Sequence, residues 1–475
     1  MKEAYKPKYH FSPSRGWIND PNGLVYFRGE YHMFYQYHPN PDCDAVGALW
    51  GHAVSKDLLR WKELPPALVP GEPYDKNGCW SGTAVVKNDS LYVLYTGYAE
   101  TENGVRQTQC LARSDDGENF VKYEGNPVIS SSQLPRGASK VDFRDPEAFW
   151  EGDELFVIIG SHTNGGVPQC LLYKTTDMIN YEYVGVAAKR KNCGTMWECP
   201  NVVGFGDERA LILSPQWFPA KGNKFTNVSS TVYGVGRFDK ENGKFRMGSL
   251  REMDGGCDFY ATRCIQLDER TPVMTAWLQM WGRRMLPLEL GHGWSGAISL
   301  SRVLGLKNGK ITQKPVDAVY DCFTNEVKLK ATFSGEKRFE GVCGTCVCLD
   351  IDAYSACLST FSVRILEGEG KYALLTFDMK KGECTFDRTN ALYPLGGNEY
   401  ECENSRNGVR TVEFTKNKKR LRAQIFIDKS TVEVFINGGE ATTSNLVFNV
   451  PDCGGITFVS EGEITLSVKK YDVTP

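Results

Sequence analysis

The 475-residue chain reads as all-β, a five-bladed β-propeller followed by a C-terminal β-sandwich. Three observations predict this. Apolar runs are short and separated by Gly- and Asp-rich turns, with little helical periodicity. One kind of segment returns about every sixty residues. That return stops near residue 325, while strand-like runs continue.

The recurring segment is a polar residue, a strand, a tight polar turn and a second, more apolar strand. The first copy is Asn19-Asp20-Pro21 leading into Leu24–Phe27 and Tyr31–Tyr37. The second is Trp80-Ser81-Gly82, then Ala84–Val86 and Leu91–Tyr95. The third is Arg144-Asp145-Pro146, then Ala148–Trp150 and Leu155–Ile159. Glu198-Cys199-Pro200 precedes Val202–Phe205 and Ala210–Leu213, and Asp258-Phe259-Tyr260 precedes Thr262–Leu267 and Val273–Leu278. A further hairpin follows each of the first four copies. Its turn carries Asp57, Asp116, Asp177 or Asp239, at separations of 59, 61 and 62 residues. Four strands per period of this length are the mark of a propeller blade. The fifth such hairpin is expected at Ala297–Leu304 with Lys310–Gln313, turning at Lys307–Gly309. A sandwich with accidental spacing is the competing reading, and the near-equal register of four aspartates disfavours it. The propeller is thus expected over residues 1–314, a linker over 315–324, and a β-sandwich over 325–475.

Composition narrows the partners. Lys plus Arg total 55 and Asp plus Glu 58, for a formal charge of −3. No basic stretch offers a footprint for nucleic acid, and no apolar run has membrane-spanning length. The N-terminus lacks the apolar core of a signal peptide, so a cytoplasmic protein is expected. Sixteen cysteines are scattered rather than framed as a disulfide scaffold. The one tight cluster, Cys343, Cys346 and Cys348, has no histidine nearby and reads as strand cysteines.

The repeat also predicts chemistry. The innermost strands of a propeller line its channel and run the same way, so equivalent positions converge at one mouth. Those positions are Asp20, Ser81, Asp145, Glu198 and Asp258. Acids held close together cannot all ionise, so at least one is pushed towards its protonated form. A glycosidase uses that split, with one carboxylate to attack and one carboxyl to donate a proton. An oxygen-lined cation site is the alternative, but calcium loops gather several ligands within one segment, which is absent here. No metal or other cofactor is expected. Trp17, Trp50, Trp80, Trp197, Tyr260, Trp277 and Trp281 lie beside these acids or in adjacent segments. Each alone suits a core, but together at strand starts they suit sugar rings.

Taken together, the motifs resemble those of glycoside hydrolase family 32. The resemblance rests on Trp17-Ile18-Asn19-Asp20-Pro21-Asn22-Gly23, Phe143-Arg144-Asp145-Pro146 and Trp197-Glu198-Cys199-Pro200. Support comes from Phe34-Tyr35-Gln36-Tyr37, Trp50-Gly51-His52-Ala53, Trp80-Ser81-Gly82, Asp258-Phe259-Tyr260-Ala261 and His292-Gly293-Trp294. It implies a retaining β-fructofuranosidase of the invertase type, with Asp20 as nucleophile, Glu198 as acid/base and Asp145 as transition-state stabiliser. It also implies a saccharide-binding set of Trp17, Asn19, Gln36, Trp50, Trp80, Ser81, Arg144, Tyr260 and Trp277. Two segments depart from the family pattern, Leu300-Ser301-Arg302-Val303-Leu304 and Ser230-Thr231-Val232-Tyr233, and neither touches the acids.

Sucrose is the expected substrate, with sucrose 6-phosphate or short fructooligosaccharides as variants. Fructan exohydrolysis, fructosyl transfer and a non-catalytic sugar-binding propeller are the rivals. A phosphorylated substrate needs a cation on the glucosyl side, and Arg283 and Arg284 are the candidates.

Overall fold

The computed structural model describes residues 3–40, 47–396 and 408–475. It is a five-bladed propeller followed by a sandwich-like sheet. The innermost blade strands are Gly16–Phe27, Gly78–Lys87, Ala138–Glu151, Met196–Phe205 and Tyr260–Gln266. Each touches the next, and the fifth touches the first, so they close a ring around a central channel. Each pairs antiparallel with the following strand: Glu30–His38, Ser90–Thr101, Glu154–Thr163, Glu208–Gln216 and Pro272–Trp277. Two outer strands complete each blade. The short strand Trp294–Ser295 runs parallel to Gly16 and Trp17 and ties the fifth blade to the first.

The second strands are apolar on both faces because neighbouring blades cover both. Val85, Leu94 and Leu111 of blade two pack with Phe143, Val157 and Leu171 of blade three. Phe156, Ile158 and Leu172 pack on the other side against Leu211, Leu213 and Val232 of blade four.

The spacing aspartates have a local reason. Each caps the turn between the third and fourth strands of its blade. Asp57 Oδ1 accepts the N–H groups of Leu59 and Arg60, and Asp116 those of Glu118 and Asn119. Asp177 does the same for Ile179 and Asn180, and Asp239 accepts the N–H of Asn242. Such side-chain turns pre-form the chain reversal. The fifth blade differs from the sequence expectation. Its third strand is Arg302–Lys307, paired with Lys310–Pro315. Asn308 and Gly309 alone make the turn, both at positive φ, so a two-residue hairpin replaces the aspartate loop.

The inner strands also begin earlier than their apolar runs suggest, which places the acids inside strands. Every inner strand slips register against its partner at one level: between Ile18 and Pro21, Trp80 and Gly82, Arg144 and Glu147, Glu198 and Asn201, and Tyr260 and Arg263. Bulges of this kind re-aim side chains. Three bulge residues, Asp145, Cys199 and Ala261, adopt φ of 62°, 44° and 52°, a conformation that costs a non-glycine residue on the order of 1 kcal/mol or more. Gly82 is required at its bulge because a Cβ there would lie 2.1 Å from Leu94 O.

After Pro315 the chain makes one 3-10 turn, Asp317–Cys322, and enters strand Phe323–Lys337. The second domain is one continuous sheet folded over its own core. Its long strand Gly455–Val473 pairs with Thr360–Gly368 at one end and Cys346–Tyr354 at the other. Side chains from both halves, such as Val363, Leu375, Ile425 and Val434, fill a single interior. The N-terminal segment straps the two domains together. The backbone N–H groups of Lys8, Tyr9 and His10 donate to Asp428, and the Tyr5 hydroxyl donates to Asn449 O.

Candidate active site

One mouth of the channel opens into a pocket of about 500 Å³. Asn19, Asp20, Gln36, Trp80, Ser81, Arg144, Asp145 and Glu198 line it, as do Gln107, Asp142, Gln216, Trp217, Ser229 and Trp281. Asp20 takes the Ser81 hydroxyl on Oδ2 at 2.8 Å and the Asn19 amide on Oδ1 at 3.2 Å. The Cys199 sulfur lies 3.5 Å from Asp20 Oδ2 and 3.7 Å from Asp145 Oδ2. Asp145 also accepts the Cys199 backbone N–H at 3.0 Å, while its own N–H donates to Thr96 Oγ1. The bulge at Cys199 therefore aims its peptide N–H at Asp145 and sets its thiol between the two carboxylates.

Glu198 is held at both oxygens. Arg144 donates to Oε1 from Nε at 3.1 Å and from Nη2 at 2.9 Å, and the Tyr260 hydroxyl lies 2.5 Å from Oε2. Arg144 Nη1 in turn reaches Asp142 at 2.5 Å and Gln107 at 3.3 Å. Asp142 also meets His162 Nε2 at 2.9 Å.

Burial pushes Asp20 up from its ordinary range, and the charge of Glu198 adds to the push; the Ser81 and Cys199 hydrogen bonds oppose it. Burial also raises Asp145, to about 7, against the opposing pull of Arg144. The Cys199 thiol goes well up through burial and the two flanking acids, so it remains a neutral donor. Beneath the acids Arg263 is fully buried and bonds Glu147 across the channel at 2.5 Å. Its positive charge opposes the rise at Asp20.

The sequence-derived set divides in two. Asn19, Gln36, Trp80, Ser81 and Arg144 line the pocket with the three acids. Trp17, Trp50, Tyr260 and Trp277 are buried behind it. Trp50 donates its indole N–H to Trp80 O at 3.0 Å, Trp17 stacks on His38, and Trp277 packs against Trp281. These four hold lining residues in place. Gln107, Asp142, Gln216 and Trp217 escaped the sequence reading. Gln107 comes from the third strand of blade two, and Gln216 and Trp217 from the end of the second strand of blade four, away from the motifs; Asp142 lies on the inner strand of blade three, two residues before Arg144, and alone had a nearby signal.

Two expectations are corrected. Asp258 is not a member of the acid ring. It is fully buried outside the pocket, bonded to Arg283 at 3.1 Å, Arg388 at 2.5 Å and the Leu446 N–H at 2.8 Å. Inner strand five starts two residues later, so Tyr260 occupies the level of Glu198. Arg283 is consequently spent on Asp258 and on Asn227, and Arg284 is exposed and paired with Glu289. Neither lines the pocket.

A propeller whose channel mouth gathers an unbalanced set of carboxylates among hydrogen-bonding side chains holds the groups that a glycoside hydrolase uses. The comparisons specify which. Residues 10–315 match the glycosyl hydrolases family 32 N-terminal domain, and residues 317–475 match the glycosyl hydrolases family 32 C-terminal domain. Sucrose-6-phosphate hydrolase of Escherichia coli is 31% identical over 94% of this chain and 90% of its own length. Raffinose invertase of Escherichia coli is 30% identical over 98% of this chain and 94% of its own length. The structure of the Bombyx mori β-fructofuranosidase superposes with a TM-score of 0.83 at 33% identity, covering 99% of this chain and 94% of that one. The chain belongs to glycosyl hydrolase family 32 and is a glycosidase.

Proposed function

We propose that the protein is a retaining β-fructofuranosidase that hydrolyses sucrose through a covalent fructosyl-enzyme. The observation that carries this reading is the pairing of Asp20 and Glu198 in one pocket, with the two held differently. Asp20 receives hydrogen bonds from Ser81 and Asn19, donors that favour its anionic, nucleophilic form. Asp20 attacks the anomeric carbon of the fructosyl unit while Glu198 protonates the departing oxygen. Glu198, now anionic beside Arg144, then takes a proton from the water that releases fructose. Asp145, fixed by the Cys199 N–H, accepts fructosyl hydroxyls and stabilises the charge that develops on the ring.

Asn19, Gln36, Trp80, Ser81 and Arg144 shape the fructosyl end, braced by Trp17, Trp50, Tyr260 and Trp277. Trp217, about half exposed at the rim, offers its face to the leaving sugar. No step in this scheme calls for a cofactor. The fourteen cysteines among the described residues are all free, which fits a reducing cytoplasm; among those residues no helix is long and apolar enough to cross a membrane.

The test is sucrose cleavage in methanol. A double displacement gives the β-methyl fructoside as the first transfer product. An α product would refute retention, and absence of sucrose turnover would refute the hydrolase reading.

A further inference from the structure

The pocket carries one carboxylate, Asp142, that the proposed reaction itself does not demand. Four carboxylates line the pocket, Asp20, Asp142, Asp145 and Glu198, against one guanidinium among the described lining residues, Arg144. Arg144 is engaged with Glu198, Asp142 and Gln107. Under the reading proposed above, the departing oxygen lies at Glu198, so the leaving sugar sits beyond Glu198 as seen from Asp20. Asp142 lines the same pocket and is joined to Glu198 through Arg144, so its carboxylate lies one guanidinium away from the acid that meets the departing oxygen.

Asp142 is held at both oxygens, by Arg144 and His162, and its side chain remains about one-third exposed. Burial alone would raise its pKa, but Arg144 and His162 outweigh burial and keep it below the ordinary range. It is therefore a fixed anion. Its remaining lone pairs can accept a sugar hydroxyl, whereas a phosphate dianion brought alongside is repelled and finds no uncommitted cation among the described lining residues.

We propose that this pocket selects an uncharged leaving sugar, and that Asp142 is the specificity-determining residue that excludes a phosphate ester. The proposal rests on the β-fructofuranosidase reading and sharpens it, since several similar relatives bear the name sucrose-6-phosphate hydrolase. The experiment measures kcat/KM on sucrose and on sucrose 6-phosphate for the full-length wild type and for Asp142→Asn. Asparagine keeps an acceptor for Arg144 while removing the charge. Sucrose should be preferred by about tenfold or more in the wild type, and the preference should shrink at least about threefold in Asp142→Asn. A wild-type salt titration probes the same repulsion without any variant, and the preference should narrow as ionic strength rises. Equal or faster wild-type turnover of sucrose 6-phosphate overturns the proposal. So does an unchanged ratio in an Asp142→Asn protein with wild-type melting, or a ratio indifferent to salt. Failure to turn over either disaccharide would instead refute the hydrolase reading on which the proposal stands.

Discussion

Two buried acid clusters in this molecule resemble each other in composition and differ in balance. At the channel mouth, Asp20, Asp142, Asp145 and Glu198 line the pocket with Arg144, which pairs with Asp142 and Glu198. Between the propeller and the second domain, Asp254, Asp258, Asp428 and Glu433 meet Arg302, Arg283, Arg388 and His10. The electrostatic outcomes are opposite. Burial dominates at the mouth, raising Asp20 and bringing Asp145 to about 7. At the interface burial also pushes upward, but the cations win: Arg388 and Arg283 lower Asp258, and Arg302 with His10 bring Glu433 to about 2. Matched charge locks domains together; unmatched charge stores protonation chemistry in a site that must later hold a substrate. Asp258 illustrates the point, since it belongs to a ring motif by sequence but to the interface by its partners.

The sharpest way to break this contrast is to neutralise one acid from each cluster. Asp20→Ala or Glu198→Ala should lower sucrose kcat by about four orders of magnitude or more, about 5.5 kcal/mol of transition-state stabilisation, with the melting temperature unchanged or raised. Near-wild-type turnover in either purified variant would remove it from the chemistry. Arg302→Met should behave in the opposite way. It leaves Asp254 without its guanidinium and Glu433 with His10 as its remaining cation inside the interface and should cost about 3–5 kcal/mol in denaturant unfolding. Folded Arg302→Met protein should retain wild-type kcat/KM at low temperature; a tenfold loss would tie the two clusters together functionally.

A smaller effect appears with pH. Burial lowers His10, but the Asp428 and Glu433 hydrogen bonds outweigh it and lift its pKa from 6.5 to about 9. Its contribution is complete below about 6.5 and is lost as pH rises towards 9. Glu433 is shifted from 4.5 to about 2, so its contribution is complete above about 4.5 and is lost as pH falls towards 2. The interdomain tie should be strongest between these limits, weakening by up to about 3 kcal/mol on the alkaline side. His10→Gln should flatten the alkaline arm of the stability profile; an arm of unchanged slope would disprove the assignment.

The subtlest effect is on the rate profile. Asp145, raised to about 7 chiefly by burial, serves in the proposed reaction as an anion, so kcat/KM should fall along an acid limb as pH drops below about 7. Asp145→Asn removes that titrating group. The acid limb of its residual activity should therefore move to lower pH by about one unit. A limb that stays in place would assign the proton to a group outside the cluster.

Much of this was legible in the chain itself. The five-fold repeat follows from local chemistry, with an aspartate capping a turn at fixed spacing in four of the blades and apolar second strands covered on both faces. The positions of Asp20, Asp145 and Glu198 at inner-strand level follow from the same repeat. Tertiary structure decided what local signals cannot carry. Bulges shift each inner strand at the level of the acids, so Glu198 and Asp258 are not equivalent although both precede an apolar run. Gln107 and Trp217 enter the site from segments outside the inner ring that only blade closure brings near. Arg283 reads in sequence as a candidate for phosphate, yet Asp258 claims it in the folded chain. Sequence spacing specifies which side chains share a strand level; the partner each charge meets depends on contacts between residues far apart in the chain.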